Sequence, residues 1–234
     1  VKYPRPLTRI QQIEPTTFCD LRCHYCPSKD LVRIRNQERM HMTLDTFGRS
    51  LEWCQHFARK GTQADLSLTG IGETLLHPDV LQLAVMAREM LPYTPINFST
   101  NGLKLTDELC AHFRDHKIML FISPHRPEKA AWASERAAKY GILIGNNFGA
   151  SVSSFDWAGV VKHPVMAPRT VCEWLRDGWG NVLVDGRMTT CCLDSPALGV
   201  VGSVWDDIGS LATRPFKLCD TCHMVPPAET KEAA

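Results

Sequence analysis

From residue 8 to about residue 150, short apolar runs alternate with longer amphipathic stretches, which restricts this chain to repeated strand–helix units around a parallel sheet. Residues 8–14 read as the first strand. Thr43 is placed to cap a helix to about residue 60, with Leu44, Phe47, Leu51, Cys54 and Phe57 at three-to-four spacing and Gly61 at its end. Further strands are expected at 64–69, 96–99, 117–123 and 142–146. The intervening helices are expected at 78–90, 106–115 and 128–140, the second opened by Thr106 with Asp107 and Glu108 in its first turn. Five or six such units are visible.

Near Gly149 the rhythm stops, and residues 152–169 hold two prolines and no clean period. We place a domain boundary there, giving a unit over 8–150 and a second over 151–222. In the second, Asp185-Gly186 between two β-prone runs signals a hairpin of the tight two-residue type. A short helix is expected at 204–211, and residues 223–234 read as a frayed tail.

The cysteines say what this framework carries. There are 10 of them in 234 residues: Cys19, Cys23 and Cys26; Cys54 and Cys110 alone; then Cys172, Cys191, Cys192, Cys219 and Cys222. Val1 to Pro6 lacks the apolar core of a signal peptide and no apolar run is long enough for a membrane span, so the expectation is a cytoplasmic chain with reduced thiols. A net charge of +1 argues against a nucleic-acid backbone or an anionic membrane as partner. Cys54 and Cys110 fall on apolar helix faces and read as core residues.

Cys19, Cys23 and Cys26 follow the first strand directly, at the carboxyl end where parallel α/β sheets place their chemistry. Three thiolates on one loop can hold three irons of a four-iron cluster and leave the fourth open. A structural zinc would recruit a fourth ligand and close; His24 is on hand, but the short loop constrains it. Taken singly, Gly70, Gly72 and Gly102 would be turn glycines, and Glu73 a helix-start carboxylate.

In register with the cysteine loop, these residues resemble the radical S-adenosylmethionine (radical SAM) enzymes. Tyr25 occupies the aromatic place of the C-x3-C-x-aromatic-C signature. Ile71-Gly72-Glu73-Thr74 resembles the family's Gly-Gly-Glu-Pro segment, with Ile71 in the first Gly place and Thr74 in the Pro place, and Ser99-Thr-Asn-Gly102 resembles its Thr-Asn-Gly segment. The resemblance implies a partial (β/α)6 TIM-like barrel whose [4Fe-4S] cluster on Cys19, Cys23 and Cys26 cleaves SAM to a 5′-deoxyadenosyl radical. It places Tyr25, Gly72, Glu73, Thr74, Ser99, Asn101 and Ser123 around SAM. It also implies a flavodoxin- or ferredoxin-type reductant.

Cys172, Cys191, Cys219 and Cys222 are enough to complete a second centre. If the hairpin strand persists, Cys191 and Cys192 point to opposite faces and only one ligates. Gly186-x4-Cys191-x2-Asp194 resembles the auxiliary-cluster modules called twitch and SPASM, which favours Cys191 and a second [4Fe-4S] cluster. A four-cysteine structural zinc is the rival reading. Over most of its length the chain resembles the 2-deoxy-scyllo-inosamine dehydrogenase type of radical SAM alcohol oxidase. That resemblance implies dehydrogenation of a small polar or carbohydrate-like metabolite with the auxiliary cluster as electron acceptor. One departure is that Phe148 stands where those enzymes carry an arginine, which leaves His125 as candidate catalytic base. Modification of a peptide substrate, epimerisation, and a non-catalytic zinc-stabilised binding protein are the alternatives.

Overall fold

The computed structural model describes residues 2–123, 126–146, 160 and 172–222. Every strand–helix unit read from the sequence is there. The strands β2 (Arg9–Ile13), β3 (Leu66–Leu68), β4 (Ile96–Thr100), β5 (Ile118–Ile122) and β6 (Ile144–Asn146) alternate with the helices α2 (Leu44–Arg59), α3 (Val80–Met90), α4 (Asp107–Asp115) and α5 (Pro127–Lys139). Two of the expected caps form: the Thr43 hydroxyl accepts the Thr46 N–H at 3.2 Å and the Thr106 hydroxyl accepts that of Leu109 at 3.1 Å.

The sheet is continuous in the order β6-β5-β4-β3-β2-β7-β8-β9, with β7 (Trp179–Val182), β8 (Arg187–Thr189) and β9 (Val200–Ser203). Strand β7 pairs parallel to β2, so it is the sixth parallel strand; β8 and β9 then return antiparallel. The C-terminal hairpin is therefore built onto the barrel sheet. The boundary expected near Gly149 and the tail from His223 lie outside the described residues. A two-residue pair, β1 (Arg5–Pro6) with β10 (Ala212–Thr213), ties the ends together; the short helix α1 (Leu31–Arg35) follows the first cysteine loop and α6 (Glu173–Asp177) follows Cys172.

Alternation along the strands decides which face is dry. Ile10, Ile13, Leu66, Leu68, Ile96, Phe98, Ile118 and Leu120 are buried in one cluster with Phe47, Leu51, Cys54, Phe57, Leu83, Cys110 and Phe113 of the helices. Each such side chain contributes roughly 1.5–3 kcal/mol on burial. Cys54 and Cys110 are core residues, as expected. The opposite, inward face carries Gln12, Ser67, Asn97 and Asn181, side by side in register.

Two local expectations are corrected. The hairpin loop holds three residues, Val184, Asp185 and Gly186, between Leu183 and Arg187, whose backbones are joined at 2.8 Å. The Asp185 carboxylate takes the Arg187 N–H at 3.1 Å, the donor that would have closed a two-residue turn, and Gly186 adopts φ +85°. No helix forms over 204–211: the Asp206 carboxylate accepts the Ser203 N–H at 2.8 Å and Gly209 sits at φ +88°. The preceding β9 was not expected. It is fixed by Val204, whose N–H bonds the Gly186 carbonyl and whose own carbonyl accepts from Trp53 Nε1 and Arg49 Nε.

Candidate radical SAM site

Because β2, β3, β4 and β5 are parallel neighbours, the segments that follow them meet at one end of the sheet. A cavity of about 560 Å³ opens there, lined by Cys19, Cys23, Cys26, Tyr25, Gly72, Glu73, Ser99, Asn101 and Ser123. Thr74 is the exception among the residues read as SAM contacts. It does not line the cavity; its hydroxyl bonds the Leu68 carbonyl at 3.1 Å and closes the turn after β3.

In the cysteine loop, backbone N–H groups point at sulfur: Leu21 N–H at Cys19 Sγ, 3.4 Å, and Ser28 N–H at Cys26 Sγ, 3.5 Å. Arg39 holds the loop from behind through the Thr17 carbonyl and both Ser28 oxygens. Burial raises the Cys19 thiol and pushes that of Cys26 up to about 11, against the opposing pull of the Ser28 N–H. Burial thus favours the neutral form of these two thiols, and a bound cation would oppose it.

The other two motifs are wired to this loop. One Glu73 oxygen accepts Thr100 Oγ1 at 2.7 Å and the Leu75 N–H at 3.1 Å, while the other accepts the Asn101 N–H at 2.7 Å. Asn101 Nδ2 donates to Asp20 Oδ1, between Cys19 and Cys23, at 2.8 Å. Burial raises the Glu73 carboxyl to about 7 despite these donors. Both residues therefore brace the motif loops while facing the cavity.

Cys172, Cys191, Cys192, Cys219 and Cys222 line the same cavity. Burial raises the thiols of Cys172 and Cys219, and Cys191 stands close enough to raise each of them further. Strand β8 ends at Thr189, so the opposite-face argument for Cys191 and Cys192 does not apply; both face the cavity. Cys191 Sγ accepts the Leu193 N–H at 3.3 Å, and its thiol is raised first by the hydrogen bond with Cys192 and then by burial. Asp194 closes this loop by accepting the Leu198 and Gly199 N–H groups, both at 2.8 Å. Among the described residues, no three Cys, His, Asp or Glu side chains converge on a single-ion position.

The description of the Radical SAM superfamily matches residues 13–142, more than half of the chain. The chain belongs to the radical SAM superfamily. Its fold is shared with BtrN, solved in complex with AdoMet and 2-DOIA, at TM-score 0.68 and 18% identity over 87% of this chain and 81% of that one. It is also shared with anSMEcpe, solved with AdoMet and the Cp18Cys peptide, at TM-score 0.56 and 12% identity over 87% and 79%. Streptococcus suis SuiB bound to its precursor peptide SuiA follows at TM-score 0.60 and 11% identity over 94% and 65%. No curated protein sequence matches this chain.

As a radical SAM enzyme, the chain needs a [4Fe-4S] cluster and space for SAM. The first cysteine loop fits: three thiols, two of them already met by N–H donors, face a cavity shared with the glycine-rich and Asn101 loops. His125 and Phe148 lie outside the described residues.

The sequence reading missed a buried ion pair behind the radical SAM motifs. Arg35 Nη1 meets Glu14 Oε2 at 2.6 Å with both side chains almost fully buried. Glu14 also accepts the Ile71 and Val184 N–H groups, both at 3.2 Å, and Arg35 Nε donates to the Ser195 carbonyl at 2.8 Å. One carboxylate thus joins the first strand to the glycine-rich loop and the hairpin, and its partner reaches the second cysteine loop. The signal was Glu14, a carboxylate next to the buried Ile13 at the end of the first strand.

Proposed function

We propose that this radical SAM enzyme dehydrogenates a small, polar, hydroxyl-bearing metabolite, using a SAM-binding [4Fe-4S] cluster on Cys19, Cys23 and Cys26 and a second on Cys172, Cys191, Cys219 and Cys222. The observation that carries this reading is that one cavity is walled by both cysteine sets and floored by amides and hydroxyls. When bound, SAM and the first cluster supply the radical that takes the carbinol hydrogen atom, and the second cluster supplies an acceptor for the electron left behind.

What the chain itself does is hold and exclude. Gly72, Glu73 and Asn101 set the wall against which SAM lies, Tyr25, Ser99 and Ser123 complete it, and the recess of the lumen limits the access of bulk water to the reacting carbon. Oxidising an alcohol also releases the hydroxyl proton, and His125 is assigned as its acceptor. A flavodoxin- or ferredoxin-type protein in the cytoplasm is assigned as reductant. The units over 8–150 and 151–222 then correspond to the radical-generating barrel and the auxiliary-cluster module. BtrN, bound to 2-DOIA, supports a small-metabolite substrate; the solved peptide complexes of anSMEcpe and SuiB make a peptide the competing substrate class.

The test is isotopic. Reconstituted protein with SAM and dithionite is given carbinol-deuterated 2-deoxy-scyllo-inosamine, a panel of deuterated sugars and cyclitols, or cysteine-containing peptides. The reading expects deuterium in 5′-deoxyadenosine together with a ketone product from a member of the first two sets. Transfer from peptides alone overturns it.

A further inference from the structure

Among the described residues, two hydrogen-bond acceptors in the barrel lumen have no protein partner. Asn181, in the middle of β7, is 3% exposed, and its Nδ2 donates to Thr189 Oγ1 at 3.3 Å. That hydroxyl in turn donates to the Cys191 carbonyl at 3.3 Å, so it accepts from Asn181 and fixes the amide with its oxygen turned away. Gln11 is fixed in the same sense: its Nε2 donates to Asp65 Oδ2 at 2.9 Å, a carboxylate that only accepts. Both leftover oxygens, Asn181 Oδ1 and Gln11 Oε1, are buried and have no partner among the described residues. Both residues line the cavity that the cysteine loops face.

Their place in the sheet is informative. The register between β2 and β7 shifts between Ile10 and Gln12, so an irregularity sits at Gln11 and brings it into the lumen along with Gln12. Gln12 is paired laterally with Asn181 and Ser67, and Ser67 with Asn97. At about 3.3 Å per residue this row lies roughly 7 Å below the strand ends that carry Glu14 and Ser99. Buried polar atoms without partners are rare in folded chains, and two in one lumen point to a ligand that brings the donors.

We propose that Gln11 and Asn181 are substrate-recognition residues, whose side-chain carbonyl oxygens accept hydrogens from hydroxyl or amino groups of a polyhydroxylated ring seated in the lumen. This assignment rests on the small-metabolite reading above and narrows it. Ser67 and Asn97 are already bonded to each other at 2.7 Å and form the floor. Trp179, with the Arg9 guanidinium 3.7 Å over its ring, also lines this cavity.

The test is calorimetric binding to the reconstituted, SAM-loaded protein without reductant, with 2-deoxy-scyllo-inosamine and scyllo-inositol as probes. The expected result is that Asn181→Leu weakens 2-deoxy-scyllo-inosamine at least tenfold, whereas Asn181→Asp, which keeps an acceptor and adds a charge, binds this cationic probe as well as wild type or better. Gln11→Met, at a partly exposed position, is expected to weaken both probes about tenfold and serves should Asn181→Leu fail to fold. Wild-type affinity in Asn181→Leu or in Gln11→Met overturns the assignment and leaves the proposed function standing. Binding of neither probe to wild type overturns the substrate class. Deuterium transfer from peptides alone, in the isotopic experiment above, overturns the underlying reading instead.

Discussion

A Cβ placed on Gly72 overlaps the Thr16 carbonyl oxygen and stands 2.8 Å from that of Phe18, both of them backbone atoms at the start of the cysteine loop. The residue is a glycine because two motif-bearing loops touch there, which gives a physical reason for a position the sequence reading assigned only by resemblance. Gly72→Ala is expected to push the cysteine loop away at a cost of about 1–3 kcal/mol. Thermal melting checks the cost, and iron bound per chain, expected to fall, checks the displacement. The neighbouring Glu73 carries a pH signature. Burial raises its carboxyl from the ordinary 4.5 to about 7. Between those values the native chain keeps a proton that the unfolded chain has released, so this group's contribution to stability falls as pH rises, by about 3 kcal/mol in all. The melting temperature of metal-free wild type relative to Glu73→Gln should therefore drop steadily from pH 4.5 to pH 7; a constant difference would mean that the carboxyl is ionised throughout.

At the scale of elements, local patterns announced themselves and distant pairings did not. Thr43 and Thr106 stand where a helix must begin, and the cysteine loop follows directly from the strand expected at 8–14. By contrast, nothing near residue 180 says that β7 will lie beside β2, and the Arg35 to Ser195 contact spans 160 residues. The hairpin loop was misread because an Asp185 side chain captured a backbone donor, a competition invisible in strand propensity. The Glu14–Arg35 pair is where these distant elements are held together. Arg35→Met leaves a buried carboxylate without its counter-charge and is expected to cost about 3–5 kcal/mol in denaturant unfolding. Adding Glu14→Gln should recover part of that loss, since the stranded charge disappears while an acceptor remains for the Ile71 and Val184 N–H groups. Additive losses would show that the two residues act separately.

For the whole molecule, the sheet order brings eight cysteines from four stretches of chain around one lumen. The strands turn Gln12, Ser67, Asn97 and Asn181 into that lumen while they bury aliphatic side chains outward. A chain that holds two four-iron clusters should take up about eight irons on anaerobic reconstitution. Replacing Cys172, Cys191 and Cys219 together by alanine should leave about four. The central claim is that Cys19, Cys23 and Cys26 alone hold a cluster with one iron open to SAM, and it is tested most directly by 5′-deoxyadenosine release from SAM under dithionite in that triple-alanine protein. The account predicts that this protein still cleaves SAM and that a further Cys23→Ala abolishes the reaction. Release that survives Cys23→Ala, or two zincs and no release from the wild-type chain, would contradict it.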